Sequence, residues 1–149
     1  MNQNFMDLAF QCAETAYDMN EVPIGAVIVK EGKVISSAFN TKESDCSVLS
    51  HAELLAIKKA EDILGNWRLD GCELYVTLDP CPMCASAIKQ SRISKVYSAL
   101  SNSDDGNISI IQNIFKSDST NPGVDFSSNL AVDKSKKLLN LFFKKQRNK

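Results

Sequence analysis

The sequence predicts an α/β fold in which helices cover both faces of a sheet, that is, a three-layer α-β-α sandwich. Strand-like and helix-like segments alternate along the chain, which is the pattern of layered α/β proteins. Residues 24–29 form an uninterrupted apolar run, as expected of a strand that is buried on both faces. The 149 residues contain no internal repeat and suffice for one compact domain. We therefore predict a single domain over residues 1–149.

Apolar spacing and turn residues place the individual elements. In order, they are a helix over 5–19, strands over 24–29 and 34–39, a polar loop over 40–50, a helix over 51–64, a strand over 74–78, a helix over 82–91, a strand over 93–99, a polar loop over 101–107, a short helix over 108–115 and a basic helix over 131–146. A tight turn at residues 31–33 makes the first two strands a hairpin. Ser50 is expected to cap the helix over 51–64. The buried face of that helix is expected to consist of Leu54, Leu55, Ile57 and Ile63.

Prolines and apolar residues define the second half of the chain. Pro80 ends the strand over 74–78, and Pro82 suits the first turn of the helix that follows. The last helix is expected to dock on the body through its apolar residues, which are Leu138, Leu139, Leu141, Phe142 and Phe143. Of Phe142 and Phe143, we expect one to enter the core and the other to face solvent.

The charge of the chain is nearly balanced overall but unevenly distributed. Residues 1–133 carry 10 basic and 18 acidic side chains, whereas residues 134–149 carry seven basic and no acidic ones. A basic terminal segment can contact phosphates, but it can also be a solvated tail. Charge alone leaves both interpretations open.

Composition indicates a cytoplasmic protein without a membrane span. No apolar run approaches the roughly 20 residues that cross a bilayer, and residues 1–4 lack the basic start of a secretory signal. Five cysteines cannot all pair within one chain. A reducing cytoplasm would keep them as thiols, and a close Cys-x-x-Cys pair then indicates metal or redox chemistry.

Two short motifs carry the chemical signal: His51-Ala52-Glu53, and Pro-Cys-Pro-Met-Cys at residues 80–84. A catalytic zinc ion takes three protein ligands and leaves a fourth position for water, and one imidazole with two thiolates meets that count. Both motifs fall at predicted helix starts, where side chains lean toward the N-terminus and the helix dipole favours anions. We therefore predict one Zn2+ per chain, held by His51, Cys81 and Cys84.

Glu53 is the predicted proton carrier of this site. Its carboxylate can take a proton from water on the metal and pass it to a leaving amine. Side chains at i and i+2 do not share a face within a regular helix, but a metal that lies beyond the first turn removes that objection. His-x-Glu followed by Pro-Cys-x-x-Cys is the signature of zinc deaminases that act on nucleobases.

Each motif alone has a simpler explanation. A lone His-x-Glu occurs often by chance, and a lone Cys-x-x-Cys can belong to a structural zinc site or to a dithiol redox pair. Here the only histidine of the chain lies in the first motif, and no second Cys-x-x-Cys exists to complete a four-thiolate site. The combination therefore favours a catalytic zinc site over both alternatives.

With these motifs in place, the chain resembles the bacterial tRNA adenosine deaminases, which convert the wobble adenosine of a tRNA anticodon to inosine. Besides the zinc motifs, the matching segments are residues 21–27, Asn40, 66–69, 74–78, 91–93 and 138–147. The resemblance implies a sandwich of the cytidine-deaminase type with a mixed sheet of about five strands. It also implies hydrolytic deamination through a zinc-bound hydroxide, and a homodimer that contacts the tRNA anticodon loop with both subunits.

The resemblance assigns further residues. Asn40 matches the asparagine that holds the substrate nucleotide in that family. The last helix is used against the RNA, which implies contacts from Phe142, Phe143 and Arg147. Of the two phenylalanines, the one that does not enter the core is expected to face the nucleic acid. Trp67, the only tryptophan, is expected to pack against the body rather than to stack on a base.

Several positions depart from the family pattern and keep other functions open. Residues 45–50 lack the usual Pro-Thr-Ala, Asp79 replaces a glutamate, and residues 101–107 lack the usual glycine- and lysine-containing loop. One alternative is a deaminase of a free nucleobase or nucleoside, of the guanine, cytosine or cytidine type. A second is a non-catalytic zinc module that binds RNA, against which Glu53 argues because a structural site has no use for a carboxylate that binds no metal.

Overall fold

In the computed structural model, which describes residues 1–102 and 107–148, helices and strands alternate as the sequence predicts. They are α1 (Gln3–Asp18), β1 (Gly25–Lys30), β2 (Lys33–Phe39), α2 (Lys42–Asp45), α3 (Ala52–Leu64), β3 (Cys72–Val76), α4 (Pro82–Gln90), β4 (Lys95–Ser98), α5 (Asn107–Phe115), β5 (Asp125–Ser127) and α6 (Val132–Arg147). The predicted α/β class with a mixed sheet of five strands is confirmed. Part of the predicted loop over 101–107 lies outside the described residues. Within the described ranges, every helix is too short or too polar to span a bilayer.

The sheet places the ends of three parallel strands side by side. Its strand order is β2-β1-β3-β4-β5; β1 runs antiparallel to β2 and β3, whereas β3, β4 and β5 are parallel. The carboxyl ends of parallel strands meet at one edge, and ligands of open α/β sheets bind outside that edge. The cysteine motif at residues 80–84 follows β3 directly and therefore lies there.

Alternate side chains of β1 enter two separate apolar clusters, because successive residues of a strand point to opposite faces. Ala26 and Ile28 pack on the face that α3, α4 and α5 cover. Val27 and Val29 pack on the opposite face, which α1 covers and against which Leu138 of α6 also packs. The strand is therefore buried on both faces, as its uninterrupted apolar run predicts.

Helix α3 departs from the prediction at its cap and on its buried face. His51, not Ser50, is the N-cap residue, and the Ser50 hydroxyl donates to the Asp45 carboxylate instead. The buried residues of α3 are Ala52, Glu53, Ala56, Ile57 and Ala60. Ile57 is thus buried as predicted, but Ile63, in the last turn, is 63 % exposed. Small alanines, rather than large aliphatic residues, let this helix lie close to the sheet.

The predicted polar loop over 40–50 contains the short helix α2. The carboxylate of Glu21 accepts hydrogen bonds from the backbone N–H groups of Glu43 (2.9 Å) and Ser44 (2.7 Å). It thereby satisfies amide groups that the first turn of a helix leaves unpaired. Because α2 buries no residue, no apolar period in the sequence announces it.

Gly25 is a position where α1 approaches the sheet closely, and its replacement is expected to destabilise the fold. A Cβ atom there would lie 1.9 Å from the carbonyl oxygen of Ala9 and 2.7 Å from the backbone nitrogen of Ala13. Because both contacts are backbone, α1 must shift, and we expect Gly25→Ala to lower the free energy of unfolding in urea by about 3 kcal/mol. The control is Gly65→Ala, where only the left-handed backbone is strained, at about 1 kcal/mol. Equal losses in the two variants would contradict this account.

Candidate metal centre and active site

The two zinc motifs lie at the starts of α3 and α4. His51 is the N-cap residue of α3, Cys81 is the N-cap residue of α4, and both have extended backbone. Cys84 lies in the first turn of α4, and Pro82 begins that helix as predicted. The three donor side chains are thus at the positive ends of two helix dipoles, which favour thiolates.

The donor atoms of these residues converge. Nδ1 of His51 lies 3.4 Å from Sγ of Cys84 and 3.7 Å from Sγ of Cys81, and all three atoms lie within 4.8 Å of one another. Zinc bonds of about 2.3 Å to sulfur and about 2.1 Å to nitrogen, at the tetrahedral angle, would place nitrogen and sulfur about 3.6 Å apart. The observed distances therefore fit one zinc ion with three protein ligands and an open fourth position.

The two thiols differ in acidity. A hydrogen bond from the Cys84 thiol and backbone N–H groups at the start of α4 together lower the pKa of Cys81 to about 5. The same hydrogen bond, together with burial, raises the pKa of Cys84. Cys81 therefore loses its proton more readily than Cys84 does. A bound metal displaces the proton of Cys84 as well, because coordinating thiols are deprotonated.

Glu53 is a buried carboxylate with an unsatisfied oxygen beside the donor cluster. It lies in the first turn of α3 and is 4 % exposed, and its Oε1 has no hydrogen-bond partner among the described residues. Burial raises the pKa of Glu53 to about 7, and the negative charge of Cys81 also raises it. The extended backbone of His51 removes the i, i+2 objection, because His51 precedes the regular helix. A buried acid with a perturbed pKa and one unsatisfied oxygen, next to a metal-ligand cluster, indicates a catalytic group.

Asn40 has a structural task that its sequence position does not reveal. Its side chain is buried, and its Oδ1 accepts a 2.7 Å hydrogen bond from the backbone N–H of Ala52. Asn40 therefore accepts a hydrogen bond from a backbone N–H at the start of α3, the role predicted for Ser50. The bond also fixes the orientation of the amide, so that Nδ2 is the group left to donate to a substrate.

Two carboxylates outside the motifs close the loops around the site. Asp45 accepts hydrogen bonds from the hydroxyl groups of Thr41 (2.6 Å) and Ser50 (2.7 Å), which closes the atypical loop over 45–50. Asp79, which precedes the cysteine motif, accepts a 2.5 Å hydrogen bond from the hydroxyl of Ser128, beyond β5. The sequence departs from the family pattern at both places, but no local pattern in it predicts these contacts.

Phe142 enters the core as expected of one member of the pair and Phe143 is exposed, while contact of Phe143 with nucleic acid stays a prediction. Phe142 is 6 % exposed and Phe143 is 48 % exposed. The expectation that Phe142 contacts RNA is therefore wrong, because its ring is buried. Phe143 instead lines a cavity of about 530 Å3 together with Leu78, Asn102 and Lys136. Since Leu78 and Asn102 follow β3 and β4, this cavity opens at the same edge of the sheet as the cysteine motif.

Trp67 lies away from the metal centre. It is 55 % exposed, so the expectation that it packs against the body is wrong. The guanidinium groups of Arg68 and Arg92 lie 5.4 Å and 5.7 Å from the centroid of its ring, within the range of cation–π attraction. The 13-residue helix α3 separates Trp67 from His51.

The sequence of this site matches a known family. Residues 1–100 match the cytidine and deoxycytidylate deaminase zinc-binding region, and the donor cluster described above lies within that match. The chain therefore belongs to the zinc-binding cytidine and deoxycytidylate deaminase family. The predictions of a zinc cofactor and of a zinc-dependent deaminase are confirmed.

Within this family, the chain is similar to tRNA-specific adenosine deaminases over nearly its whole length. The enzyme of that name from Aquifex aeolicus (strain VF5) is 44 % identical over 145 residues, which cover 97 % of this chain and 95 % of the relative. The one from Bacillus subtilis (strain 168) is 37 % identical over 145 residues, which cover 97 % and 90 %. A solved structure from a study of A-to-I editing by tRNA:A34 deaminases at the wobble position of tRNA matches with a TM-score of 0.85 and 38 % identity, and covers 93 % of this chain and 100 % of that one.

Proposed function

We propose that this protein hydrolytically deaminates adenosine to inosine at the wobble position of tRNA. The observation that carries the proposal is the buried carboxylate of Glu53, whose Oε1 has no hydrogen-bond partner among the described residues, beside the His51, Cys81 and Cys84 cluster. A structural zinc site needs no such group, whereas deamination needs a proton carrier. The choice of adenosine in tRNA is supported by the tRNA-specific adenosine deaminases that the chain resembles.

Each residue of the site has a separate task in this proposal. His51, Cys81 and Cys84 hold the zinc ion, which when bound acts as a Lewis acid and lowers the pKa of a water molecule toward neutrality. With zinc bound, Glu53, whose pKa is about 7, would take a proton from that water as the water oxygen bonds to C6 of adenine and the π electrons of the C6–N1 bond move to N1. Glu53 would give that proton to N1, take the second proton from the hydroxyl now on C6, and donate it to the amino nitrogen. The bond from C6 to the amino nitrogen then breaks, ammonia leaves, and inosine remains with a carbonyl at C6 and a proton on N1. Nδ2 of Asn40 holds the nucleotide during both transfers.

The surroundings of the site support a polymeric substrate over a free base. The wobble nucleotide lies in a loop, so presenting its base costs less than extracting one from a duplex. The cavity beside α6 lies at the same edge of the sheet as the cysteine motif, and the exposed ring of Phe143 lines it. Arg147, exposed in the last turn of α6, remains a proposed RNA contact.

Two further features of the proposal concern assembly and location. We infer a homodimer, and support comes from apolar side chains that α3 and α5 leave exposed, namely Ile63 (63 %), Ile108 (39 %) and Ile110 (47 %).

We also infer that the protein works in the cytoplasm, where a reducing environment would keep its five free cysteines as thiols.

Product analysis tests the proposed substrate. Zinc-loaded protein is incubated separately with a set of tRNAs and with free adenosine, cytidine and guanine, and the nucleosides are then identified by mass spectrometry. We expect inosine in tRNA that carries adenosine at the wobble position, and none in the same tRNA with guanosine there. Uridine or xanthine from the free substrates, with unreacted tRNA, would favour the nucleobase or nucleoside deaminase. No product from any substrate would favour the non-catalytic RNA-binding module.

A further inference from the structure

Helix α6 presents two different faces to the rest of the molecule. Lys136, Asn140, Phe143 and Arg147 recur at i, i+4, i+7 and i+11 and therefore form one stripe. The side of α6 that faces α1 carries Lys134, Leu138 and Lys145. The cations of this helix consequently fall into groups with different surroundings.

Lys134 and Lys145 are engaged by α1. The Lys134 ammonium lies 4.6 Å from the centroid of the Phe10 ring and 4.0 Å from an oxygen of Asp7. The Lys145 ammonium lies 4.6 Å from the centroid of the Tyr17 ring and donates to the Tyr17 carbonyl oxygen at 3.5 Å. Both lysines therefore hold α6 on α1, at the two ends of the helix. Their charges are partly engaged by α1 and are therefore less available to a phosphate than an ammonium without such contacts.

Lys136 is in a different position. It lines the 530 Å3 cavity together with Phe143 of the same helix and with Leu78 and Asn102, which follow β3 and β4. It is the only charged residue among the described residues that line the cavity. It forms no ion pair with another described residue. Residues 1–133 carry a surplus of acidic groups, so this cavity is locally positive on a mostly acidic body. A compact ammonium beside an exposed aromatic ring is the combination that proteins use on single-stranded nucleic acid.

We propose that Lys136 binds a phosphate of the substrate RNA strand at this cavity, whereas Lys134 and Lys145 only hold α6 in place. This inference rests on the proposed RNA substrate, and it assigns different tasks to cations that the sequence cannot distinguish. Lys137 offers a matched control, because it is the next residue, is equally cationic and exposed, and does not line the cavity.

The experiment compares Lys136→Ala with Lys137→Ala in tRNA binding over a range of salt concentrations. The slope of log K against log salt is negative, and loss of one phosphate contact on a single strand makes it less steep by about 0.7. Relative to 1 M salt, this change lowers the affinity at 0.15 M salt by about fourfold. We expect that change for Lys136→Ala, with a raised KM and an unchanged kcat because the contact is made equally in the ground and transition states. We expect Lys137→Ala to keep the parent slope and KM. Equal effects of the two substitutions would overturn the assignment. They would show that the combined positive charge of α6, rather than Lys136 in particular, attracts the RNA.

The parent protein separates this inference from the proposed function. If the parent deaminates no tRNA, the proposed function fails. If the parent is active and the two variants are alike, only the role of Lys136 fails.

A second arm tests the helix-holding role of Lys145. Lys145→Ala is expected to lower the melting temperature, and its effect is expected to be non-additive with that of Tyr17→Leu, because both remove the same contact. If Lys145→Ala kept the melting temperature of the parent and made the salt dependence of tRNA binding less steep, as expected for Lys136→Ala, Lys145 would contact a phosphate instead. Deletion of residues 144–149 is a less informative test, because it removes this contact together with the free cations.

Discussion

Replacement of Glu53 by glutamine is expected to lower kcat for wobble adenosine by about 10⁴-fold while the protein keeps one zinc ion per chain. This loss is at the upper end of what a general acid–base contributes, because the same carboxylate serves both proton transfers. Glutamine keeps the size of the side chain but cannot accept the proton. Single-turnover kinetics on tRNA measure the loss, and elemental analysis measures the metal.

Glu53→Gln is expected to lower the activity but not the free energy of unfolding. Glu53 is buried with an oxygen that lacks a hydrogen bond, and such a group costs folding free energy. The free energy of unfolding of Glu53→Gln is therefore expected to equal or exceed that of the parent. Glu61→Gln, in the same helix but outside the donor cluster, is the control and should change neither activity nor zinc. Near-normal activity of Glu53→Gln would move the proton transfer to another residue, and loss of zinc would make Glu53 a ligand.

The metal centre could be predicted from the sequence because its parts are local. His51 and Cys81 are each identified by neighbours within a few residues, and Pro82 marks the start of α4 through a preference that belongs to that position alone. The convergence of two motifs 30 residues apart required only that both occupy helix starts at one edge of a sheet. The same local signals predicted the apolar strand β1 and the long helix α1.

The features that the sequence did not reveal depend on contacts between distant residues. Ser50 has the side chain of a cap residue, but the N–H of Ala52 is taken by Asn40, 12 residues earlier. β5 has only three residues, too few for a period, and it is a strand because it pairs with β4. Lys134 and Lys136 are indistinguishable until α1 supplies an aromatic ring to the first of them.

Removal of a single thiol of the cluster is expected to abolish both zinc binding and activity. Cys84 is fully buried and its sulfur is one of three donors, so Cys84→Ala leaves two protein ligands, fewer than a catalytic zinc site uses. After dialysis against a chelator and return to equimolar zinc, we expect the variant to hold less than about a tenth of the parent zinc. Added zinc should raise the melting temperature of the parent, because a ligand that binds only the folded state stabilises it, and should leave that of the variant unchanged.

Cys72→Ala is the matched control for this experiment. Cys72 is as deeply buried as Cys84 and is also a free thiol, but it lies in the apolar cluster of the sheet and outside the donor group. Its replacement removes one buried sulfur and is expected to cost about 1 kcal/mol of stability while zinc and activity remain. If Cys84→Ala lost only this much stability and still bound one zinc ion, Cys84 would be a core thiol like Cys72, and the three-ligand centre would be wrong. Loss of zinc in Cys84→Ala alone separates coordination from packing, because the two substitutions remove the same atoms from equally buried positions.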